Sequence, residues 1–304
     1  MDEWLDGVQA LLPGSRVEFL DQLGGSARSR VRRVRAGDHT LIVKEFTGPG
    51  EGWARECAAL SVIPPEVPAP RLVASSGATP PTLVMSDLGS GGSVADLLLG
   101  ADRTAAATAV TAWASAVGAR HRGTAGLREE FRNELAARSG DRPVPESTLA
   151  ADLDTACRAI ERQGAELGVP VPRAALDALR SIGSRLDGNG PAALTPSDAC
   201  PDNNVRTGAA LALIDFEGAQ WRHVAWDVAY LTVPWPSCWC SSVSYTHAVR
   251  RHRRLPRRRA GGHGRLGPRY DVLAPAPRPD RRPAPGQTVA DQAGDHPGAV
   301  SYTH

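Results

Sequence analysis

From residue 16 the chain alternates apolar and polar positions in three consecutive runs, RVEFLDQL, SRVRRVRA and HTLIVKEF. Period-two alternation broken by turn residues predicts antiparallel strands, with turns at Gly24 and Gly25 and at Gly37 and Asp38. The period then changes. In GEGWARECAALSVI the apolar residues Trp53, Cys57 and Leu60 fall at helical steps, and Glu56 rides on the same helix. The proline-rich PPEVPAPR ends that helix, and RLVASSG and TLVMSDL form a predicted hairpin around Thr79, Pro80 and Pro81. Three strands, a helix and two further strands make residues 1–90 an α+β lobe with a mainly antiparallel sheet.

From Ser93 onward the spacing becomes helical. VADLLLG, TAAATAVTAWASAVGARHRG, LREEFRNELAARSG, TLAADLDTACRAIERQGAELG and PRAALDALRSIGSRLDG each carry apolar residues three and four apart, and most close on glycine. Residues 91–240 therefore read as a second, mainly helical lobe. Inserted in it are an Asp- and Asn-rich loop and a hairpin, NNVRT then ALALIDFE, before WDVAYL opens another packed element. Beyond residue 240 the periodicity stops. Residues 241–304 hold eight prolines, and the pentapeptide VSYTH occurs at 243–247 and again at 300–304. Such a segment reads as an irregular tail, either disordered or translated out of frame from GC-rich DNA.

Charge sharpens this division. Twelve arginines and four aspartates give residues 241–304 a charge of +8, so the net +2 of the chain leaves −6 for residues 1–240. Only Tyr245, Tyr270 and Tyr302 could stack on bases in the tail, so nucleic acid is not the expected partner. No apolar run approaches a membrane span, and the acidic, amphipathic MDEWLDGVQALLPG is unlike a secretory signal. A cytoplasmic protein with no membrane partner is expected, and its five scattered cysteines suit reduced thiols.

Of the 35 basic residues, Lys44 is the single lysine. An ammonium is a compact point charge, whereas a guanidinium is a wide planar fork, so a lysine retained against this bias marks a position arginine cannot fill. Lys44 also belongs to an ordered set. The Gly24 and Gly25 turn lies between the first two strands, Lys44 on the third and Glu56 on the next helix; Asn203 then comes five residues after Asp198, and Asp215 twelve after Asn203. Each suits phosphoryl transfer, where catalysis is largely positioning and charge neutralisation. Glycines let backbone N–H groups approach phosphate oxygens. Lys44 would contact the α- and β-phosphates with Glu56 directing it, Asp198 would take the proton of an acceptor hydroxyl, and Asn203 and Asp215 offer the hard oxygens that suit Mg²⁺. Taken singly, each residue has a plainer reading, as a surface strand lysine, a solvated helix charge or ordinary turn formers.

DACPDN at 198–203, IDFE at 214–217 and WDVAYL at 226–231 together resemble the aminoglycoside phosphotransferase and choline kinase-like group, a branch of the protein-kinase-like fold, over about residues 15–240. The resemblance implies a two-lobed fold and transfer of the γ-phosphoryl group of ATP or GTP, with Mg²⁺, to a hydroxyl of a small molecule. An aminoglycoside-type antibiotic or another amino or sugar alcohol is the implied acceptor, and the acidic body of the chain is compatible with a cationic one. It further implies Asp198 as catalytic base, Asn203 and Asp215 as metal ligands, and Lys44 with Glu56 as the phosphate-anchoring pair. By the same resemblance, residues 85–88 are the hinge whose Ser86, Asp87 and Leu88 meet the adenine, and Asp227 braces the catalytic loop. Two departures stand out: the family's last helices, which help shape the acceptor pocket, would have to come from residues 241–304, which do not read as helical, and Pro196 and Ser197 occupy the places where the family carries His-Gly. Proline cannot supply the histidine's hydrogen bonds, which keeps open a second reading, a catalytically impaired, pseudokinase-like protein that only binds nucleotide or small molecules.

Overall fold

The computed structural model describes residues 3–25, 28–48, 50–140, 143–188, 190–208 and 210–232, all within one compact unit. The tail expected over residues 241–304 lies outside the described residues. Helix α1 (Glu3–Leu11) precedes three strands, β1 (Val17–Gly25), β2 (Ser29–Ala36) and β3 (His39–Phe46). Helix α2 (Glu51–Val62) follows, then β4 (Leu72–Ser76) and β5 (Thr82–Ser86). The strands form one antiparallel sheet in the order β1-β2-β3-β5-β4. Gly24 and Gly25, expected in a turn, are instead the last paired residues of β1, opposite Val31 and Arg30.

Central β3 is buried on both faces, and its alternation decides what each face meets. Leu41 and Val43 join Val8, Val34 and Val84 in a cluster beneath α1, while Ile42 and Phe46 join Trp53, Cys57, Leu60 and Leu83 in the core beneath α2. Lys44 lies between Ile42 and Phe46 in the period-two pattern, so its side chain is on the α2 side. Arg32 stacks over Trp4 of α1, with its guanidinium carbon 4.2 Å from the ring centre, and pairs with Glu45 on the same face.

The second lobe comprises α3 (Val94–Leu99), α4 (Arg103–Thr124), α5 (Arg128–Ser139), α6 (Leu149–Glu166) and α7 (Arg173–Gly188). Helix α3 starts at a capping box between Ser93 and Asp96, and α4 at Asp102, whose carboxylate accepts the N–H groups of Thr104 and Ala105. Helix α4 buries Ala109, Trp113, Val117, Arg120 and Thr124 along one face. Strands β6 (Ala192–Thr195), β7 (Asn204–Thr207), β8 (Ala210–Leu213) and β9 (Gln220–His223) follow, then α8 (Ala225–Thr232).

The four short strands hold two loops. β6 pairs with β9, bringing Thr195 opposite Gln220, and β7 pairs with β8, bringing Asn204 opposite Leu213. Loops 196–203 and 214–219 are thus pinned side by side at both ends. Cys57 and Cys157 are buried free thiols, as expected. Among the described residues no helix is long and apolar enough to cross a membrane.

Candidate active site

The β3 lysine reaches across the sheet face to α2 and to the second pinned loop. Lys44 Nζ lies 2.7 Å from Glu56 Oε2, 2.8 Å from Asp215 Oδ1 and 3.2 Å from Glu217 Oε2. Lys44 is 5% exposed and Glu56 1%, so the pair is screened from water. Burial alone would lower the Lys44 pKa, but Asp215, Glu56 and Glu217 together more than reverse this and hold the ammonium charged. Burial also pushes the Glu56 carboxyl up to about 7, against the opposing pull of Lys44 and with added like charge from Asp215 and Glu217.

The two loops approach each other over a cleft of about 320 Å³, within the roughly 300–1,000 Å³ usual for small-molecule sites. Phe46, Glu51 and Arg55 line it from the sheet lobe, and Ser197, Asp198, Asp215 and Glu217 from the other. Arg28, just before β2, also lines the cleft and pairs with Glu217 at 3.1 Å. Gly218 allows the loops to touch, because a Cβ there would come within 3.1 Å of the Pro196 carbonyl and 3.3 Å of Ser197 Cβ.

Asp198 is held by backbone and side chain alike. Asn203 donates its side-chain amide to the Asp198 carbonyl at 3.0 Å, while its backbone carbonyl accepts the Ile214 N–H at 3.1 Å, which ties the first loop to the residue before Asp215. Tyr230 of α8 hydrogen-bonds the Asp198 side chain, and burial together with that carboxylate raises the phenol's pKa. Ser197 adopts φ 67°, in the left-handed region that favours glycine. Its carbonyl accepts Trp226 Nε1–H at 3.0 Å, and its buried hydroxyl has no partner among the described residues. Asp215 is also left-handed, at φ 63°, a conformation aspartate tolerates better than most residues.

Of the expected site residues, Lys44, Glu56, Asp198, Asn203 and Asp215 converge on this cleft or the loops that form it. Ser86, Asp87 and Leu88 lie at the end of β5 and in the segment leading to α3. There the Asp87 carboxylate is engaged by Arg33 at 2.7 and 3.3 Å and by the Gly89 N–H at 2.9 Å. Ser86 Oγ accepts the Arg71 N–H at 2.9 Å. Asp227, read as a brace, is fully buried against Arg120 and 2.8 Å from His121 Nε2. Glu217, Arg28, Arg55 and Tyr230 were not among the residues singled out from sequence. Glu217 was legible in principle, as the last residue of the IDFE run.

The carboxylate oxygens of Glu56, Asp215 and Glu217 lie within 4.8 Å of one another. Three carboxylates sharing one ammonium form an all-oxygen donor set with surplus negative charge. That set fits a hard divalent cation such as Mg²⁺.

A five-stranded antiparallel sheet with one helix across it, set against helices that carry two pinned loops, is the protein-kinase-like fold. A family profile described as Phosphotransferase enzyme family matches residues 20–261, and the chain belongs to that family. Aminoglycoside phosphotransferase APH(4)-Ia, as a thermostable mutant in ternary complex with ADP and hygromycin B, is similar with a TM-score of 0.54 at 14% identity, covering 83% of this chain and 84% of that one. A second structure of APH(4)-Ia gives a TM-score of 0.53 at 16% identity, covering 78% and 79%. A choline/ethanolamine kinase family protein from Mesorhizobium loti gives 0.46 at 20% identity, covering 76% and 69%. A search of curated proteins found no match.

Proposed function

We propose that the protein is a small-molecule kinase that uses ATP or GTP with Mg²⁺ to phosphorylate a hydroxyl group, with an aminoglycoside-type, cationic compound as acceptor. The observation that carries this reading is the convergence of Lys44, Glu56 and Asp215 beside a cleft that Asp198 also lines. Lys44 would hold the α- and β-phosphates, with Glu56 keeping it aimed. Asn203 and Asp215 would hold Mg²⁺, with Glu217 beside them; when bound, the cation neutralises phosphate charge. Asp198 would accept the acceptor's hydroxyl proton as the new O–P bond forms and the bond to the leaving nucleoside diphosphate breaks, a contribution of roughly 10²–10⁴-fold. Backbone groups of residues 85–88 would meet the base, and those of Gly24 and Gly25 would help carry the phosphates. The structural neighbour's complex with ADP supports a nucleotide donor, and its hygromycin B supports this acceptor class.

One ground for the pseudokinase-like reading was Pro196. Here Trp226 Nε1–H braces the loop through the Ser197 carbonyl, so the loop has hydrogen-bonded support without a histidine side chain. The test is nucleotide consumption across aminoglycosides, choline and sugar alcohols, with Asp198→Asn alongside. A kinase loses turnover in that variant and keeps nucleotide affinity; a wild-type chain that binds nucleotide but turns over no acceptor supports the pseudokinase-like reading.

A further inference from the structure

The carboxylates around Lys44 come from two separate elements. Glu56 is on α2, whereas Asp215 and Glu217 are on loop 214–219, and the Lys44 ammonium of β3 bridges the two sources. The residue preceding Glu56 spans them. Arg55 is 8% exposed, and its Nη1 donates to the Ala219 carbonyl at 3.0 Å while Nη2 donates to the Pro145 carbonyl at 2.6 Å. Among the described residues it forms no ion pair. A buried guanidinium that engages only carbonyls contributes geometry more than charge pairing: its planar fork fixes two bonds at a set angle, which a single amine cannot reproduce.

Both ends of this connection are anchored. Ala219 lies two residues beyond Glu217, in a turn closed by its own N–H to the Phe216 carbonyl, next to Gln220, which pairs with Thr195. On the helix side, successive residues point about 100° apart. Glu56 can therefore face the sheet while Arg55 faces the second lobe. The Trp53 indole is tied to the Thr82 carbonyl within the sheet at 3.0 Å, and Ser61 at the far end of α2 receives Arg138. Arg55 is the tie that reaches from the cleft end of α2 to the loop carrying Asp215.

We propose that Arg55 is a positioning residue: by joining α2 to loop 214–219 it sets the approach of Glu56 and Asp215 to Lys44. Its catalytic consequence rests on the kinase reading above; its geometry does not.

Because Lys44 is the only lysine of the chain, amine acylation followed by peptide mass spectrometry reports on it directly, apart from the N-terminal amine. Cys157, a fully buried free thiol on α6, serves as an internal reporter of global opening. In Arg55→Met and Arg55→Gln, native-state acylation of Lys44 is expected to quicken by about tenfold or more, as two lost hydrogen bonds free α2 locally, while alkylation of Cys157 changes far less. An unchanged Lys44 rate, or a rise matched by Cys157, overturns the proposal. Nucleotide consumption is assayed separately, so a wild-type chain without turnover counts against the kinase reading and leaves the acylation result standing.

Discussion

Lys44 Nζ and Glu56 Oε2 are 2.7 Å apart although one residue belongs to a strand and the other to a helix twelve positions later. The ammonium is also the common partner of Asp215 and Glu217, so its loss leaves three carboxylates facing one another with little water to screen them. Lys44→Met is expected to destabilise the fold by about 3–5 kcal/mol, the usual consequence of removing one member of a buried ion pair. Lys44→Arg keeps the charge but forces a broader group into a 5%-exposed position, and nucleotide affinity should fall by about tenfold or more. Thermal denaturation and nucleotide titration check both.

Glu56 gives the stability a defined pH dependence. Its folded pKa of about 7 lies above the ordinary 4.5, so between these values the folded state holds a proton that the unfolded chain releases. Stability from this group is full below about 4.5 and declines as pH rises to about 7. Melting temperatures across that window, measured in chelating buffer, should fall more steeply for the wild type than for Glu56→Gln, in which the slope from this group disappears.

Ser197→Gly should stabilise the protein. The serine is held at φ 67° with a buried, unpartnered hydroxyl, and both costs vanish in glycine, offset only by glycine's greater freedom in the unfolded chain. A net gain of about 1 kcal/mol is expected, read as a rise in melting temperature. Turnover, where assayed, should be retained, because the Ser197 carbonyl still accepts Trp226.

Asp227→Ala should be among the most damaging single changes. The carboxylate is 0% exposed and is the partner of the equally buried Arg120, so truncation strands a guanidinium between α4 and α8. A loss of about 3–5 kcal/mol is expected in chemical denaturation. Asp227→Asn keeps an acceptor for Arg120 and His121 and should lose less.

The sequence by itself determined the elements whose information is local. Alternation in 29–36 and 39–46 produced two strands, and it also put Lys44 on the same side as Ile42 and Phe46. Helical spacing placed Glu56 on α2. The 198–203, 214–217 and 226–231 runs carried the family, because their residue types and intervals are written along the chain. What the tertiary structure decided depends on partners distant in sequence. β6 and β9 have four residues each and no alternation, and exist because Thr195 meets Gln220 across the loops they clamp. The left-handed backbone at Ser197, the third carboxylate at Glu217 and the span of Arg55 from α2 to Ala219 follow from that clamping. Periodicity records which face of an element is apolar, but not which remote carbonyl or carboxylate will lie opposite it; only the packed chain fixes those distances.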